Sequence, residues 1–363
     1  MRSTQHRRSG APVIAAMAGL AVTSLTVVAE AAPAAAGGPT IVVHPGESIQ
    51  AALDHASPYS TIVVAGGVHA EQLTIAPDGI RLIGDHTSLV PPATPVSNPC
   101  SGVAGLEGRD GPPTQAGICV IGHGVVFGPF NNEHTPVESV GRPIRNVTVE
   151  GFDIEGFTGP YVAVAGGRNV RVAGNELDEP VLFGVLSLGS RSTRVTGNEV
   201  HGALGFIGVC VHDAASPLVE RNDIATMVIG VCVETTGTAV TRNEIHDNCI
   251  GIYVDPGIAA TITHNDVFDN NQCPDLPSSG RGLTLSGAQG SVVSHNDFRG
   301  HTVGGLPALL ITDDSNTRTV ATDNTVTHNQ FPNNTLDIES TASGDNRITH
   351  NDCDTSIPAE LCD

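Results

Sequence analysis

An asparagine recurs at one fixed position in eight short segments, and this repeat restricts the fold more than any other feature of the sequence. In each segment a β-branched residue stands three positions before the asparagine and a largely apolar residue stands two positions after it. The usual interval is about 22 residues, a length typical of solenoids built from stacked repeats. The recurring residues are Asn175, Asn198, Asn222, Asn243, Asn265, Asn296, Asn329 and Asn351.

Each repeat contains strands, because apolar and polar or small residues alternate strictly in the segments 208–211, 230–233, 251–254 and 282–285. A repeat of this length is too short for a propeller blade, and the leucine positions of leucine-rich repeats are missing. Three strands joined by tight turns fit one coil, and each coil would hydrogen-bond to the next. We therefore predict an all-β, single-stranded parallel β-helix with a ladder of inward-facing asparagines.

The start of the repeat region supports the same fold. Residues 43–52, followed by 61–67, resemble the opening of pectate-lyase-like proteins, and together with the asparagine repeats the resemblance covers nearly the whole mature chain. It implies a right-handed parallel β-helix. That superfamily includes polysaccharide lyases, polygalacturonase-type hydrolases, uronate epimerases, phage depolymerases and a periplasmic copper-handling group, so the fold alone does not select a function.

The first 36 residues have the pattern of an export signal, with arginines before an apolar stretch and small residues after it. Cleavage is expected after Ala31 or Ala36, and the Arg7–Arg8 pair leaves both the general and the twin-arginine export routes open. We predict a secreted, extracellular protein with no membrane span.

One β-helix domain is expected over residues 37–363. Residues 47–57 place apolar side chains on one helical face, which predicts a helix that caps the N-terminal end of the core. Residues 85–140 are rich in proline and glycine and break the period, so they are interpreted as an insertion. Extra loop residues are expected near 269–281 and 299–307.

The charge of the chain narrows the choice of partners. A formal net charge of −21 disfavours nucleic acid and anionic membranes as partners, because both attract basic surfaces. The sequence contains no lysine, which excludes lyases that use a lysine base and leaves those with an arginine base open. A polysaccharide or another small or extended ligand is the expected partner, and the oligomeric state is left open.

Eight cysteines in an exported chain predict disulfides more strongly than metal ligands. Cys210 and Cys232 have an alternative, because a thiol pair beside His212 could bind copper or act as a nucleophile. The predicted pairs are Cys100–Cys119, Cys210–Cys232, Cys249–Cys273 and Cys353–Cys362.

The strand set that contains these cysteines is, by the resemblance, the substrate face. Alternation directs His212, Glu234 and Asp255 outward on successive coils about 4.8 Å apart, with Asp213 at the edge of this column. A histidine and two carboxylates at that spacing could divide acid and base roles in hydrolysis. Calcium at Asp213, Glu234 and Asp255 is the candidate cofactor, and an ordinary solvated face is the alternative.

Several other residues are candidates for this groove. Tyr253 could stack on a sugar ring or simply pack under a loop. Arg281 could neutralise a uronate or act as a base, and Arg299 with His301 could line the groove from a loop. A surface arginine without a functional role is the alternative, more strongly for Arg299.

Four histidines each precede a ladder asparagine and would stack along one edge of the solenoid. Their spacing is that of a metal-binding strip, but we expect turn-flanking surface residues that pair with neighbouring acids. They are His264, His295, His328 and His350.

The leading functional hypothesis is a polysaccharide lyase or glycoside hydrolase with its groove on the His212–Glu234–Asp255 face. A non-catalytic extracellular binding or structural protein is the first alternative. A small-molecule enzyme that uses Cys210, Cys232 and Tyr253 is the second.

Overall fold

A computed structural model describes residues 37–105, 112–273 and 280–362. The predicted export signal over residues 1–36 lies outside the described residues.

The chain winds into a right-handed parallel β-helix, as predicted. Each full coil contains three strand positions that stack in parallel with those of the coils before and after it. We call these stacks the first, second and third sheets, in the order in which the chain passes through a coil, with the ladder asparagine between the first and the second.

The first sheet begins at Thr40 and contributes a strand to each coil that the structure describes. Its strands are Thr40–Val43, Thr61–Ala70, Arg81–Val90, Thr148–Glu155, Arg171–Ala173, Arg194–Thr196, Leu218–Glu220, Thr238–Thr241, Ala260–Thr263, Val292–Ser294, Thr325–Thr327 and Arg347–Thr349.

Five long strands turn a corner of the coil and serve two sheets. Thr61–Ala70, Arg81–Val90 and Thr148–Glu155 continue from the first sheet into the second, whereas Glu199–His212 and Asp223–Val233 continue from the second into the third. The remaining strands of the second sheet are Glu176–Asp178, Glu244–His246, Asp266–Phe268 and Asp297–Arg299.

The third sheet carries the predicted substrate face, and its strands pair in register from coil to coil. Its other strands are Leu73–Ile75, Ile118–Ile121, Val162–Ala165, Phe183–Leu188, Ile250–Val254, Arg281–Ser286, Pro307–Thr312, Leu336–Ser340 and Ser356–Ile357.

The eight repeated asparagines form the predicted ladder, and each is at most 9% exposed. In the middle of the ladder the Asn243 side-chain amide donates to Asn265 Oδ1 at 2.9 Å and to the Val219 carbonyl of the preceding coil at 3.0 Å. Asn265 Oδ1 also accepts the Asn243 backbone N–H at 3.0 Å. Each asparagine therefore pairs backbone groups that would otherwise be buried without partners at the turn.

A second, shorter ladder occupies the turn between the second and third sheets. Asn248 donates to Asn270 Oδ1 at 2.9 Å, and His301 takes the equivalent position in the next coil. The His301 ring is fully buried, and its Nε2 lies 3.2 Å from the Val267 carbonyl. Burial lowers the pKa of His301 to about 4. The prediction that His301 binds substrate is therefore wrong, because its ring faces the core.

The capping helix is shorter than predicted and begins at a serine. The helix Ile49–His55 is preceded by Ser48, whose hydroxyl accepts the Ala51 backbone N–H at 3.1 Å. Ile49 and Leu53 are buried against the first coils, so the helix covers the apolar end of the solenoid. At the other end, the 3₁₀ helix Ala359–Leu361 follows the last strand.

The insertion lies beside the stack and is narrower than the predicted range of 85–140. Residues 85–90 still belong to a stacked strand, and Ile118–Ile121 is a strand of the third sheet. The antiparallel hairpin His123–Phe127 and Val137–Arg142 projects from the insertion, and the short strands Ile144–Arg145 and Gly167–Arg168 pair separately.

Two apolar cores result from this arrangement. The first fills the inside of the solenoid with valine, isoleucine and leucine side chains. The second lies between the insertion and the outer face of the third sheet, where Val103 and Ala116 pack with Phe183, Leu186 and Ile207. This part of the predicted open groove is therefore covered by protein.

Replacing Asn243 with alanine should lower the free energy of unfolding by about 3 kcal/mol, because the substitution removes partners from several buried backbone groups. Thermal and denaturant unfolding would measure the change. Glu244→Ala is a matched control, since this neighbouring side chain is exposed. Equal stabilities of the two variants would contradict the role given to the ladder.

Candidate functional site

The functional candidates of the third sheet lie in two adjacent outward columns. Cys210, Cys232 and Tyr253 occupy in-register positions on three successive coils. The second column contains His212, Glu234 and Asp255, two positions further along each coil. This is the register expected from the sequence, because alternation along a strand sends every second side chain to the same face.

The insertion adds two residues that the repeat pattern could not reveal. Glu133 and His134 follow an irregular stretch of the insertion, and they contact Cys232 and Glu234, the middle members of the two columns. His134 Nε2 lies 3.1 Å from Glu234 Oε2, although about a hundred positions separate the two in the sequence. The His134 side chain is only 3% exposed. Because His134 belongs to a segment without periodicity, nothing in the sequence indicates that it reaches this site.

Glu234 is the centre of the resulting cluster. One of its oxygens contacts His134 and, at 2.5 Å, His212 Nδ1. Its other oxygen lies 3.4 Å from the Cys232 sulfur and 3.8 Å from the Cys210 sulfur. Glu133 Oε1 lies 3.9 Å from Cys232. We call these six residues the thiol cluster: Glu133, His134, Cys210, His212, Cys232 and Glu234.

The two cysteines of the cluster are unpaired thiols, so the predicted Cys210–Cys232 disulfide is wrong. Neighbouring residues on parallel strands direct their side chains the same way, which keeps their Cβ atoms about 4.8 Å apart, whereas a disulfide prefers about 3.8 Å. The two thiols lie side by side on adjacent coils, and each is within 4 Å of a Glu234 oxygen. The other three predicted disulfides are present: Cys100–Cys119, Cys249–Cys273 and Cys353–Cys362.

Burial and close contact shift the pKa values of the ionisable groups of the cluster in different directions. Burial and the neighbouring Glu234 raise the pKa of Glu133 to about 9. Burial opposes ionisation of Glu234, but hydrogen bonds from His134 and His212 outweigh it and lower the pKa of Glu234. The contact with Glu234 in turn raises the pKa of His212. A carboxylate between two imidazoles is therefore adjacent to a protonated carboxyl group.

The thiols themselves are held in the protonated form when nothing is bound. Burial raises the pKa of Cys210 well above its ordinary value, and the neighbouring Cys210 thiol together with burial does the same for Cys232. Asp255 lies in the same column as Glu234, one coil further along the chain. Burial and the charge of Glu234 raise the pKa of Asp255 to about 7.

Three other predicted site residues have structural roles instead. Asp213 is 8% exposed, and its Oδ1 accepts the Ser187 hydroxyl at 2.7 Å and the Ser190 backbone N–H at 3.1 Å, so it is not oriented to bind calcium with Glu234 and Asp255. Arg299 ends a strand of the second sheet, where it pairs with Asp266 and Asp297. It therefore does not line the third-sheet face. The third is His301, described above.

Tyr253 and Arg281 do lie on the outward face of the third sheet, beyond the covered part. Tyr253 is in register with the outward-facing Cys232. Arg281 is in register with Ile250, whose own partner Ile229 packs against the outer apolar core. Both candidates are partly buried; burial lowers the pKa of Arg281 and raises that of Tyr253. Both side chains are less buried than the thiols of Cys210 and Cys232.

The donor set of the thiol cluster fits a transition metal. One potential ligand atom from each of Glu133, His134, Cys210 and Glu234 lies within 4.8 Å of the other three. Thiolates and imidazoles are the ligands that soft and borderline ions prefer, whereas calcium requires six or more oxygens. The site is thus unsuited to the predicted calcium and suited to copper or zinc.

A family model described as "Periplasmic copper-binding protein (NosD)" matches residues 146–357. The chain belongs to the NosD family. The matched range contains Cys210, His212, Cys232 and Glu234, whereas Glu133 and His134 precede it. No curated protein matches the sequence.

Solved structures extend the similarity in fold beyond the NosD match. The A-module of the Azotobacter vinelandii mannuronan C-5 epimerase AlgE6 has 14% identity and a TM-score of 0.54, with 85% of this chain and 93% of that chain covered. A mutant of the periplasmic alginate epimerase AlgG has 12% identity and a TM-score of 0.57, with 87% and 70% covered. At these identities the similarity establishes the parallel β-helix alone.

A periplasmic family and three disulfides fit a protein that works outside the cytoplasm. Within residues 37–105, 112–273 and 280–362, no helix has the length and apolar character needed to cross a bilayer.

The unpaired thiols can be mapped directly. If the protein is denatured without reduction, alkylated and analysed by peptide mass spectrometry, Cys210 and Cys232 should carry the label, and the native protein should resist labelling because both thiols are buried. The six disulfide cysteines are the internal control. A peptide linking Cys210 to Cys232 would contradict the assignment of these two residues as free thiols.

Proposed function

We propose that this exported NosD-family protein binds copper(I) in the thiol cluster. The observation that carries the proposal is a pair of buried, unpaired thiols in a chain whose other cysteines are in disulfides. The sulfur of Cys210 lies within 4.8 Å of a His134 ring nitrogen. Thiols that stay reduced outside the cytoplasm are unusual. Metal binding would account for keeping them.

Cys210, Cys232 and His134 are the proposed ligands. Two thiolates on adjacent coils and one imidazole from the insertion form a soft, three-donor site, and soft donors select copper(I) over hard cations. The description of the family model, which names copper, supports this choice of metal. Glu234, which contacts both imidazoles and both sulfurs, would orient the ligands in the manner of outer-shell carboxylates.

Two features of the cluster would control the affinity. The thiols are protonated when free, so copper must displace protons, and binding is expected to weaken as the pH falls. The insertion supplies His134 and covers Cys210 and Cys232. Copper would therefore be shielded from solvent, and its release would require the insertion to move or a competing ligand to enter.

A polysaccharide lyase or hydrolase is the second candidate function. Its centre would lie on the same face, towards the coil that follows the thiol cluster in the chain. The observation in its favour is that Asp255 and Glu234 are adjacent carboxyl groups of opposite pKa shift, one raised and one lowered, as an acid and a base require. Tyr253 and Arg281 would then contact the sugar. Secretion to the extracellular space is proposed for either function.

Anaerobic titration with copper(I) against a chromogenic chelator would test the main proposal. Wild-type protein should remove one equivalent of copper from the chelator, and Cys210→Ser, Cys232→Ser or His134→Asn should weaken binding on the order of a hundredfold. His201→Asn is the matched control, because this histidine pairs with Asp223 on the second sheet and lies outside the cluster. Thermal unfolding would verify that every variant is folded.

Asp255→Asn separates the two candidate functions. It should leave copper binding unchanged but abolish any release of reducing ends or unsaturated products from polysaccharides. Absence of copper binding by folded wild-type protein would contradict the main proposal, and Asp255-dependent release of sugar products would then support the second candidate.

A further inference from the structure

The edge of the solenoid between the first and second sheets carries a stack of four histidines, which we call the histidine ladder. His264, His295, His328 and His350 precede successive ladder asparagines in four consecutive coils. All four are exposed, and all adopt a left-handed backbone conformation with φ of 57–58°. The buried asparagines next to them fix this conformation in every coil.

The imidazole rings lie one above another with almost parallel planes. Ring centroids are separated by 5.2 Å, 5.3 Å and 5.6 Å along the ladder, and the planes differ by at most 7°. These centroid separations are short enough that rotation about the side-chain bonds can bring nitrogens of two neighbouring rings onto one ion.

The expected pairing of these histidines with neighbouring acids is not seen. Among the residues that the structure describes, none of the four rings has an ion pair with a carboxylate, and the one side-chain hydrogen bond joins His328 Nδ1 to Thr327. Asp266 and Asp297, which stand two positions after His264 and His295, are occupied by Arg299. Most of the ring nitrogens of the ladder therefore remain available to a ligand.

We infer that the histidine ladder is a second metal site, exposed on the surface and selective for borderline divalent ions such as Ni²⁺, Zn²⁺ and Cu²⁺. Neutral imidazole is the protein ligand that these ions favour. Two neighbouring rings can chelate one ion, and four rings offer overlapping pairs. This site contains no thiol and lies on a different edge of the coil from the thiol cluster, so it does not depend on the copper(I) proposal.

The backbone conformation guides the choice of test variants. Asparagine tolerates left-handed conformations, and Asn146 and Asn169 already adopt φ of 56° in this chain. Substitution of a ladder histidine by asparagine should therefore remove the imidazole without distorting the coil. His86, an exposed histidine with φ of 52° outside the ladder, provides a matched control substitution.

The experiment is calorimetric titration of Ni²⁺ into full-length protein that carries no histidine tag. Wild type and the Cys210→Ser/Cys232→Ser double variant should bind Ni²⁺ equally, which separates the ladder from the thiol cluster. His295→Asn with His328→Asn should weaken binding about a hundredfold, because no two adjacent rings remain to chelate one ion. His350→Asn alone should have a smaller effect, since His264, His295 and His328 still form two pairs.

His86→Asn should not change the titration. Equal Ni²⁺ affinity in wild type and in the His295→Asn/His328→Asn variant would overturn the inference, as would a loss of binding confined to the cysteine variant. Thermal unfolding of each variant distinguishes a lost site from a lost fold.

Discussion

The register between coils depends on the asparagine ladder. Each ladder asparagine pairs with the coil before it and the coil after it, and these bonds satisfy backbone groups that the core would otherwise leave unpaired. A shift of one residue in any coil would break this set of bonds and turn every side chain of the affected strand to the opposite face. The same register places Cys210 beside Cys232 and both beside Glu234. The members of the thiol cluster that the third sheet supplies thus depend on bonds made at another edge of the coil.

Everything that is periodic could be predicted from the sequence. The fold, the asparagine ladder, the capping helix and the two outward columns all depend on local alternation and on a repeat of nearly constant length. Glu133 and His134 could not be predicted, because they come from an irregular segment that packs on the third sheet through contacts distant in sequence. The insertion that covers part of the predicted groove could not be predicted for the same reason, since the pattern of a strand does not indicate what covers its outer face.

The remaining errors have specific causes. Cys210 and Cys232 are adjacent, but parallel side-chain directions keep them from the geometry of a disulfide. His301 replaces an asparagine in the second ladder, a substitution that is invisible until the register of that turn is known. The sequence places Arg299 in a loop, but it is the last residue of a strand and forms ion pairs with Asp266 and Asp297. For His301 and Arg299 the residue type was compatible with substrate binding, and the position within the coil decided against it.

Copper binding at the thiol cluster is the central claim, and X-ray absorption at the copper edge would test it most directly. Wild-type protein loaded with a single equivalent of copper(I) should show two sulfur scatterers and a nitrogen scatterer in the first coordination shell, and Cys232→Ser should lose one sulfur. A first shell of nitrogen and oxygen alone in the wild-type protein would contradict the account.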